Sequence, residues 1–285
     1  MATAGDYVLG THDAEIGRLE LQHGVWRGQA REGWRRAGIG PGKTVIDVGC
    51  GPGFAAVDLA EMVGAEGRVI ALDKSTRFLE ALERRCTASG IGNVSARVCD
   101  LDVDELMEAD RGGGKGEGEG EGDGADAAWA RWVFCFVERP RELLARVARA
   151  LRPGGAFVAH EYFDYGAWRA APRDAAIEEF VAHVMASWRK RGGEPDIAME
   201  MLGWLPELGF EIVGVRPIVE VVDDASPYRV WLQRFAEVGL QRLVELGEVS
   251  EQRGAELAAA WEACAARKGT YMVTPGVMEI VAVRR

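Results

Sequence analysis

Val45-Ile-Asp-Val-Gly49-Cys50-Gly51-Pro52-Gly53-Phe54 joins a short β-branched run to the start of a helical pattern. Residues 44–48 read as a strand, and Ala56, Leu59, Ala60 and Val63 follow at helical spacing until Gly64 stops them. Glycines at such a strand-to-helix turn let the backbone take positive φ and approach a ligand closely. A dinucleotide loop carries G-x-G-x-x-G/A, its third small residue admitting close helix packing beside a pyrophosphate. Here the spacing is G-x-G-x-G, and Phe54 stands where that third residue belongs. Asp47 adds a carboxylate at the strand end, which suits a ligand carrying positive charge, such as a sulfonium or an ammonium.

Working outward, residues 68–72 read as a second strand, and Ser75 as the N-cap of a helix with Leu79, Leu82 and Cys86 on its face. Strands are expected at 94–99, 126–134 and 155–160, the last preceded by a helix from Pro140 to the Pro153-Gly154-Gly155 turn. This alternation predicts an α/β fold: a doubly wound, Rossmann-like, mostly parallel sheet with helices on both faces. Beyond it, Pro172 opens a helix with Ile177, Phe180, Val184 and Trp188 on one stripe, and a shorter helix covers about 198–208. A strand at 210–216, helices near 227–246 and 250–267, and a strand at 277–283 complete the pattern. Asp73 ends the second strand, where a carboxylate can accept both hydroxyls of a ribose. Asp100 follows the third, where it could accept from an adenine amine.

The chain has 285 residues and a formal net charge of −11, a balance that argues against wrapping a nucleic acid or docking on an anionic membrane. No apolar run is long enough to span a bilayer, and the first twenty residues, mixed and polar, do not read as a secretory signal. Five scattered cysteines lack any CxxC pair, so neither a disulfide framework nor a metal site is expected, and a reducing cytoplasm is the simplest setting. Residues 1–40 read as an N-terminal helical cap and 41–285 as a single domain. Within that domain, 109–125 form a Gly-rich acidic insert expected to be a flexible loop. Between Glu108 and Asp126 there are seven acids and two bases, so this short stretch carries −5 of the net charge.

Taken together, these motifs make the sequence similar to the class I S-adenosylmethionine-dependent methyltransferases. Asp47-Val-Gly-Cys-Gly-Pro-Gly53 resembles the family's first motif, Leu72-Asp73 its ribose-binding acid, Cys99-Asp100-Leu101 its adenine contact, and Leu151-Arg-Pro-Gly-Gly155 its turn before strand five. The resemblance covers about residues 43–160 well. It implies a seven-stranded sheet with an antiparallel last strand and S-adenosyl-L-methionine as cofactor. It lays Gly49, Cys50, Gly51 and Gly53 along the methionine and ribose, puts the Lys74 stem over the adenine, and sets Ala130 and Arg131 at the cofactor's amino-acid end. Tyr7, His12 and Arg18, ahead of the first strand, are candidates to close over the cofactor, Arg18 by pairing with its carboxylate.

Methyl transfer from a sulfonium is an in-line displacement, and a base is needed only if the acceptor must lose a proton. His160, at the expected end of the fifth strand, is the candidate base, with Glu161 expected on the opposite face. Trp132, Tyr162, Trp168, Trp188 and Trp231 are candidates to line an apolar acceptor pocket under helical covers at 161–200 and 225–268. No basic cluster is legible there, which disfavours a phosphorylated acceptor. The expected partner is a small-molecule substrate, with a homodimer as the candidate assembly. Two alternatives stay open on the residues alone: a nicotinamide-dependent oxidoreductase on the same sheet, and a non-catalytic cofactor-binding module.

Overall fold

The computed structural model describes residues 13–107 and 124–285. Tyr7, His12 and most of the Gly-rich insert lie outside the described residues. The first described element, α1 (Asp13–Arg36), is followed by β1 (Thr44–Val48), α2 (Phe54–Val63), β2 (Arg68–Asp73), α3 (Thr76–Ser89) and β3 (Val94–Val98). Then come β4 (Ala125–Arg131), α4 (Pro140–Ala150), β5 (Leu151–Asp164), β6 (Arg169–Ala171), α5 (Ala175–Lys190) and α6 (Ala198–Glu207). The chain closes with β7 (Phe210–Ile218), β8 (Val221–Val222), α7 (Pro227–Glu245), α8 (Glu251–Ala266), β9 (Tyr271–Val273) and β10 (Gly276–Arg284).

Among the described residues the main sheet has seven strands in the order β3-β2-β1-β4-β5-β10-β7. Strands β1 to β5 pair in parallel, and β10 runs antiparallel to both neighbours, as expected. In β1 the buried Val45, Ile46, Asp47 and Val48 form a continuous run, the pattern of a parallel strand covered on both faces. Val45, Val69, Trp129 and Val158 share one core with α2, α3 and the last turns of α1. Ile46, Leu72, Ala128 and Phe157 face the other, with α4, α6 and the helices α5, α7 and α8. Three short strands, β6, β9 and β8, form a second sheet that the sequence did not announce, because two or three residues cannot display alternation.

Two strand ends differ from expectation. β4 stops at Arg131 rather than near 134, because Trp132 takes a left-handed φ of 51°. β5 runs on to Asp164, since its partner β10 continues the ladder to Gly276.

The glycine loop is shaped by both its neighbours. Gly53 has φ 81°, and a Cβ there would collide with the Leu82 side chain of α3. Gly51, at φ 53°, has open space where its Cβ would stand. Gly53→Ala should therefore cost about 2–4 kcal/mol in urea denaturation, from strain and overlap together. Gly51→Ala should cost only about 1–2 kcal/mol, from the left-handed backbone alone. Equal losses at the two positions would refute this account of the loop.

Candidate functional site

A cavity of about 900 Å³ opens at the carboxyl ends of β1, β2, β3 and β4. From β1 and its loop it takes Asp47, Gly49, Cys50 and Gly51; from β2 and the turn after it, Asp73 and Lys74; from the turn after β3, Asp100 and Leu101. β4 and its loop contribute Arg131, Trp132 and Val133. These are residues that the motifs singled out, and the sheet brings them to one crevice because successive parallel strands all end on the same side.

Asp73 accepts hydrogen bonds from the backbone N–H of Gly51 at 2.9 Å and of Ser75 at 2.8 Å, one on each oxygen. It thereby ties the glycine loop to the N-terminus of α3 and still keeps lone pairs on the cavity side. Burial raises its pKa, and these backbone donors work against the rise. Asp100 accepts from the backbone N–H of Asp102 at 3.0 Å. Asp102 in turn accepts from the N–H groups of Glu138 and Arg139, anchoring the start of α4 to the turn after β3.

Asp47 is 2 % exposed, and its Oδ2 has no hydrogen-bond partner. Burial lifts its pKa to about 7, with Asp73 pushing the same way and Arg131 opposing. Arg131 is in the converse position: burial brings its guanidinium down to about 10 while Asp47 supports the charge. Its Nη1 is buried without a partner. The crevice between β1 and β4 thus holds an unsatisfied carboxylate oxygen and an unsatisfied guanidinium nitrogen, which together complement the ammonium and carboxylate of an α-amino acid.

Trp132 forms a rigid wall. Its indole is stacked between Tyr162 (centroids 5.4 Å apart, planes 16°) and Trp231 (5.7 Å, 10°), and Trp26 meets it edge-on at 5.1 Å. A non-glycine residue at positive φ is costly, and this packing holds it there. The loop beyond it hangs on Glu161, whose Oε1 accepts from the N–H groups of Val133 (2.7 Å) and Phe134 (3.0 Å). Burial raises Glu161 to about 7 against those two donors.

A methyltransferase-domain model matches residues 39–200. The chain belongs to the class I S-adenosylmethionine-dependent methyltransferase family. An uncharacterized 37.1 kDa protein of transposon TN4556 from Streptomyces fradiae is 28 % identical over 187 residues, 65 % of this chain and 48 % of that protein. Demethylmenaquinone methyltransferase of Geobacillus kaustophilus (strain HTA426) is 41 % identical over 73 residues, 26 % of this chain and 30 % of that enzyme. The chain thus spans half or less of the curated relatives it matches. Among solved structures, geranyl diphosphate methyltransferase in complex with S-adenosylmethionine aligns with a TM-score of 0.54 and 19 % identity, covering 98 % of this chain and 94 % of that one. At that identity the likeness carries the fold alone.

Several expected site residues of this methyltransferase-family chain stand elsewhere. His160 is fully buried, with Nε2 at 3.1 Å from Glu279 Oε2 and its ring edge-on to Trp129 at 4.8 Å. Trp129 lines the cavity and His160 does not. Placing it as the base is corrected by the strand parity: Glu161 supports the cavity loop, and His160 faces α1, where Arg36 also grips Glu279 at 2.9 and 2.7 Å. Arg18 is taken bidentately by Glu15 (2.8 and 2.6 Å) and does not reach the cavity. Ala130 is fully buried between two lining neighbours, Trp129 and Arg131, because alternate residues of a strand face opposite sides. Gly53 packs on Leu82 rather than lining the cavity.

Tyr162, Trp168, Trp188 and Trp231 are all buried and lie in an aromatic core, not on the cavity surface. Trp168 touches Phe180, Phe235 and Trp261, and Trp188 touches Phe136 and Tyr165. Only Trp132 of that set lines the cavity. Sequence reasoning missed Gln22 and His23 of α1, Phe136 after β4, and Arg191, Arg242 and Leu246 at the far end. The two arginines come from α7 and the turn after α5, 51 residues apart in sequence, and are paired with Glu245 and Glu248 respectively, so no local cluster announces them.

His160→Ala should lower stability by about 1–3 kcal/mol, because it strips a buried carboxylate of one donor. Urea denaturation alongside titration with S-adenosylhomocysteine checks this. A lowered affinity with unchanged stability would return His160 to the ligand site.

Proposed function

We propose that this protein transfers a methyl group from S-adenosylmethionine to a small, moderately apolar metabolite. The observation that carries the reading is the pair of orphaned buried groups, Asp47 Oδ2 and Arg131 Nη1, in one cavity with Asp73. A ligand with a zwitterionic amino-acid end and a ribose satisfies all three. When bound, the cofactor supplies a methyl group already activated by a sulfonium for in-line displacement.

The chain's own residues bind and orient. Asp73 would accept the ribose hydroxyls, Asp100 and Leu101 would border the adenine, and Asp47 with Arg131 would hold the amino-acid end. Trp132, Phe136, Val137 and Leu246 give the remaining cavity an apolar wall that excludes water from the acceptor. The name of one relative, a demethylmenaquinone methyltransferase, supports an acceptor of apolar character. Five unpaired cysteines support a reducing, cytoplasmic setting. Among the described residues no helix is long and apolar enough to cross a membrane.

Asp73→Asn should weaken S-adenosylhomocysteine about ten- to a hundredfold by calorimetry, the value of hydrogen bonds to a charged acceptor. Unchanged affinity would sink the ribose assignment. Turnover is tested by following release of S-adenosylhomocysteine with quinone, prenyl and polyketide acceptor pools.

The raised pKa of Asp47 gives a pH signature. Its cationic partner needs the carboxylate ionised, so binding draws the proton off and affinity falls as pH drops below about 7. Comparison with Asp47→Asn cancels the ligand's own titration: the wild-type advantage should grow between about pH 5.5 and about pH 8 and then level. For the unliganded protein the sign reverses. Native Asp47 keeps its proton to higher pH than the unfolded chain does, so stability falls as pH rises from the unfolded value of 3.8 to about 7 and then levels. Asp47→Asn should then be at least as stable as the wild type at about pH 8. A pH-independent affinity ratio would refute the pairing of Asp47 with the ligand's positive charge.

A further inference from the structure

We infer that His23 is a positioning residue that, clamped between Asp58 and Arg131, aims the Arg131 guanidinium at the anionic end of the ligand held over the glycine loop. The inference rests on the cofactor reading above and adds a residue from outside the strand-end motifs.

His23 is on α1, 7 % exposed, with its ring stacked at 6.0 Å on Phe54, the first residue of α2. Its Nε2 lies 3.1 Å from Asp58 Oδ2, and its Nδ1 lies 3.1 Å from an Arg131 Nη2. The identities of these partners dictate the tautomer. A guanidinium only donates, so Nδ1 must accept. A carboxylate only accepts, so Nε2 must carry the hydrogen. Asp58 stays a carboxylate because burial, which would raise it, is outweighed by hydrogen bonds from His23 and Arg27, and it is held at about 2. Arg27 grips both its oxygens at 2.6 Å. Burial lowers His23 in turn, despite the support of Asp58 for its charged form, which keeps the ring neutral and Nδ1 free to accept.

The consequence falls on Arg131. One Nη2 is committed to His23, and the guanidinium lies 5.4 Å from the Trp132 ring and 5.9 Å from the Trp129 ring, which restrict its plane. Nη1 is left without a partner, beside the cavity. Gln22, the preceding residue, is fixed by the same logic. Its Oε1 receives two donor-only groups, Arg18 Nη1 at 2.9 Å and Trp231 Nε1 at 3.1 Å, so its NH₂ is what it can offer the cavity it lines. Gln22 and Arg131 thereby each keep a donor in the lining of the same cavity, and a carboxylate is the ligand group that accepts from such donors.

The test compares two ligands on the full chain: S-adenosylhomocysteine, which has the amino-acid end, and 5′-methylthioadenosine, which lacks it. By calorimetry His23→Leu should weaken the first about tenfold and leave the second unchanged. Arg131→Met should do the same, and the double variant should be no worse than Arg131→Met alone. His23→Gln, whose carbonyl can accept from Arg131 while its amide donates to Asp58, should return the first ligand to within about threefold of wild type. Should His23→Leu fail to fold, Asp58→Asn, which loosens the far side of the imidazole, should show the same selective loss. Equal weakening of both ligands, or no weakening of either, overturns the positioning role. A wild type that binds neither ligand overturns the cofactor reading and this inference with it.

Discussion

The order of the sheet reverses between β1 and β4, and much of the molecule follows from that reversal. From β1 the chain winds outward through β2 to β3; from β4 it winds the other way through β5. Right-handed crossovers then put α2 and α3 on one face and α4 on the other. At the reversal the connecting helices diverge, so the carboxyl ends of β1 and β4 are left uncovered. Asp47 and Arg131 emerge there, on neighbouring strands whose register pairs Asp47 with Trp129. The crevice needs a cover supplied from elsewhere in the chain, and α1 and α7 provide it.

That cover is fastened by charges and rings rather than by an apolar stripe alone. At one end of α1, Arg36 reaches Glu279 of β10; near its middle, His23 and Arg27 reach Asp58 of α2; between them Trp26 and Trp34 meet Trp132 and Trp129. The fastenings are 31 to 243 residues apart in sequence. This explains why several charged residues of the polar helix α1 are buried. A helix packed on several sides by polar partners has no single face for periodicity to reveal.

Legibility in the sequence tracks the sequence distance over which each feature is built. The glycine loop, Asp73 and Asp100 are each fixed by a strand and the few residues after it, and all three reach the cavity where the motifs put them. Residues whose role depends on strand parity are harder. The apolar pattern ends β5 at His160, whereas the ladder with β10 runs on, and it is Glu161 that supports the cavity loop. The aromatic run from Tyr162 to Trp188 is ambiguous by nature, since rings that fill a core and rings that line a pocket share the same composition. Edge-to-face and tilted packing among Tyr165, Trp168, Trp188 and Phe235 decides for core. Arg191 and Arg242 converge only when α5 and α7 are folded over the sheet end.

The buried carboxylates separate structural from functional positions by the direction in which their surroundings push them. Glu279 and Asp58 are nearly inaccessible, yet both are held at about 2, because arginines and a histidine outweigh the effect of burial. Asp47 is equally inaccessible and stands at about 7, since burial meets no hydrogen bond to offset it. The difference is not in depth but in the supply of donors: α1 carries that supply to Asp58 and, together with His160 of β5, to Glu279, while bringing none to Asp47. A carboxylate left so, in a cavity that also holds a guanidinium nitrogen without an acceptor, is a standing penalty in the unliganded fold. A ligand that brings both a cation and an anion would relieve it, which is the physical ground for reading this pair as a binding position.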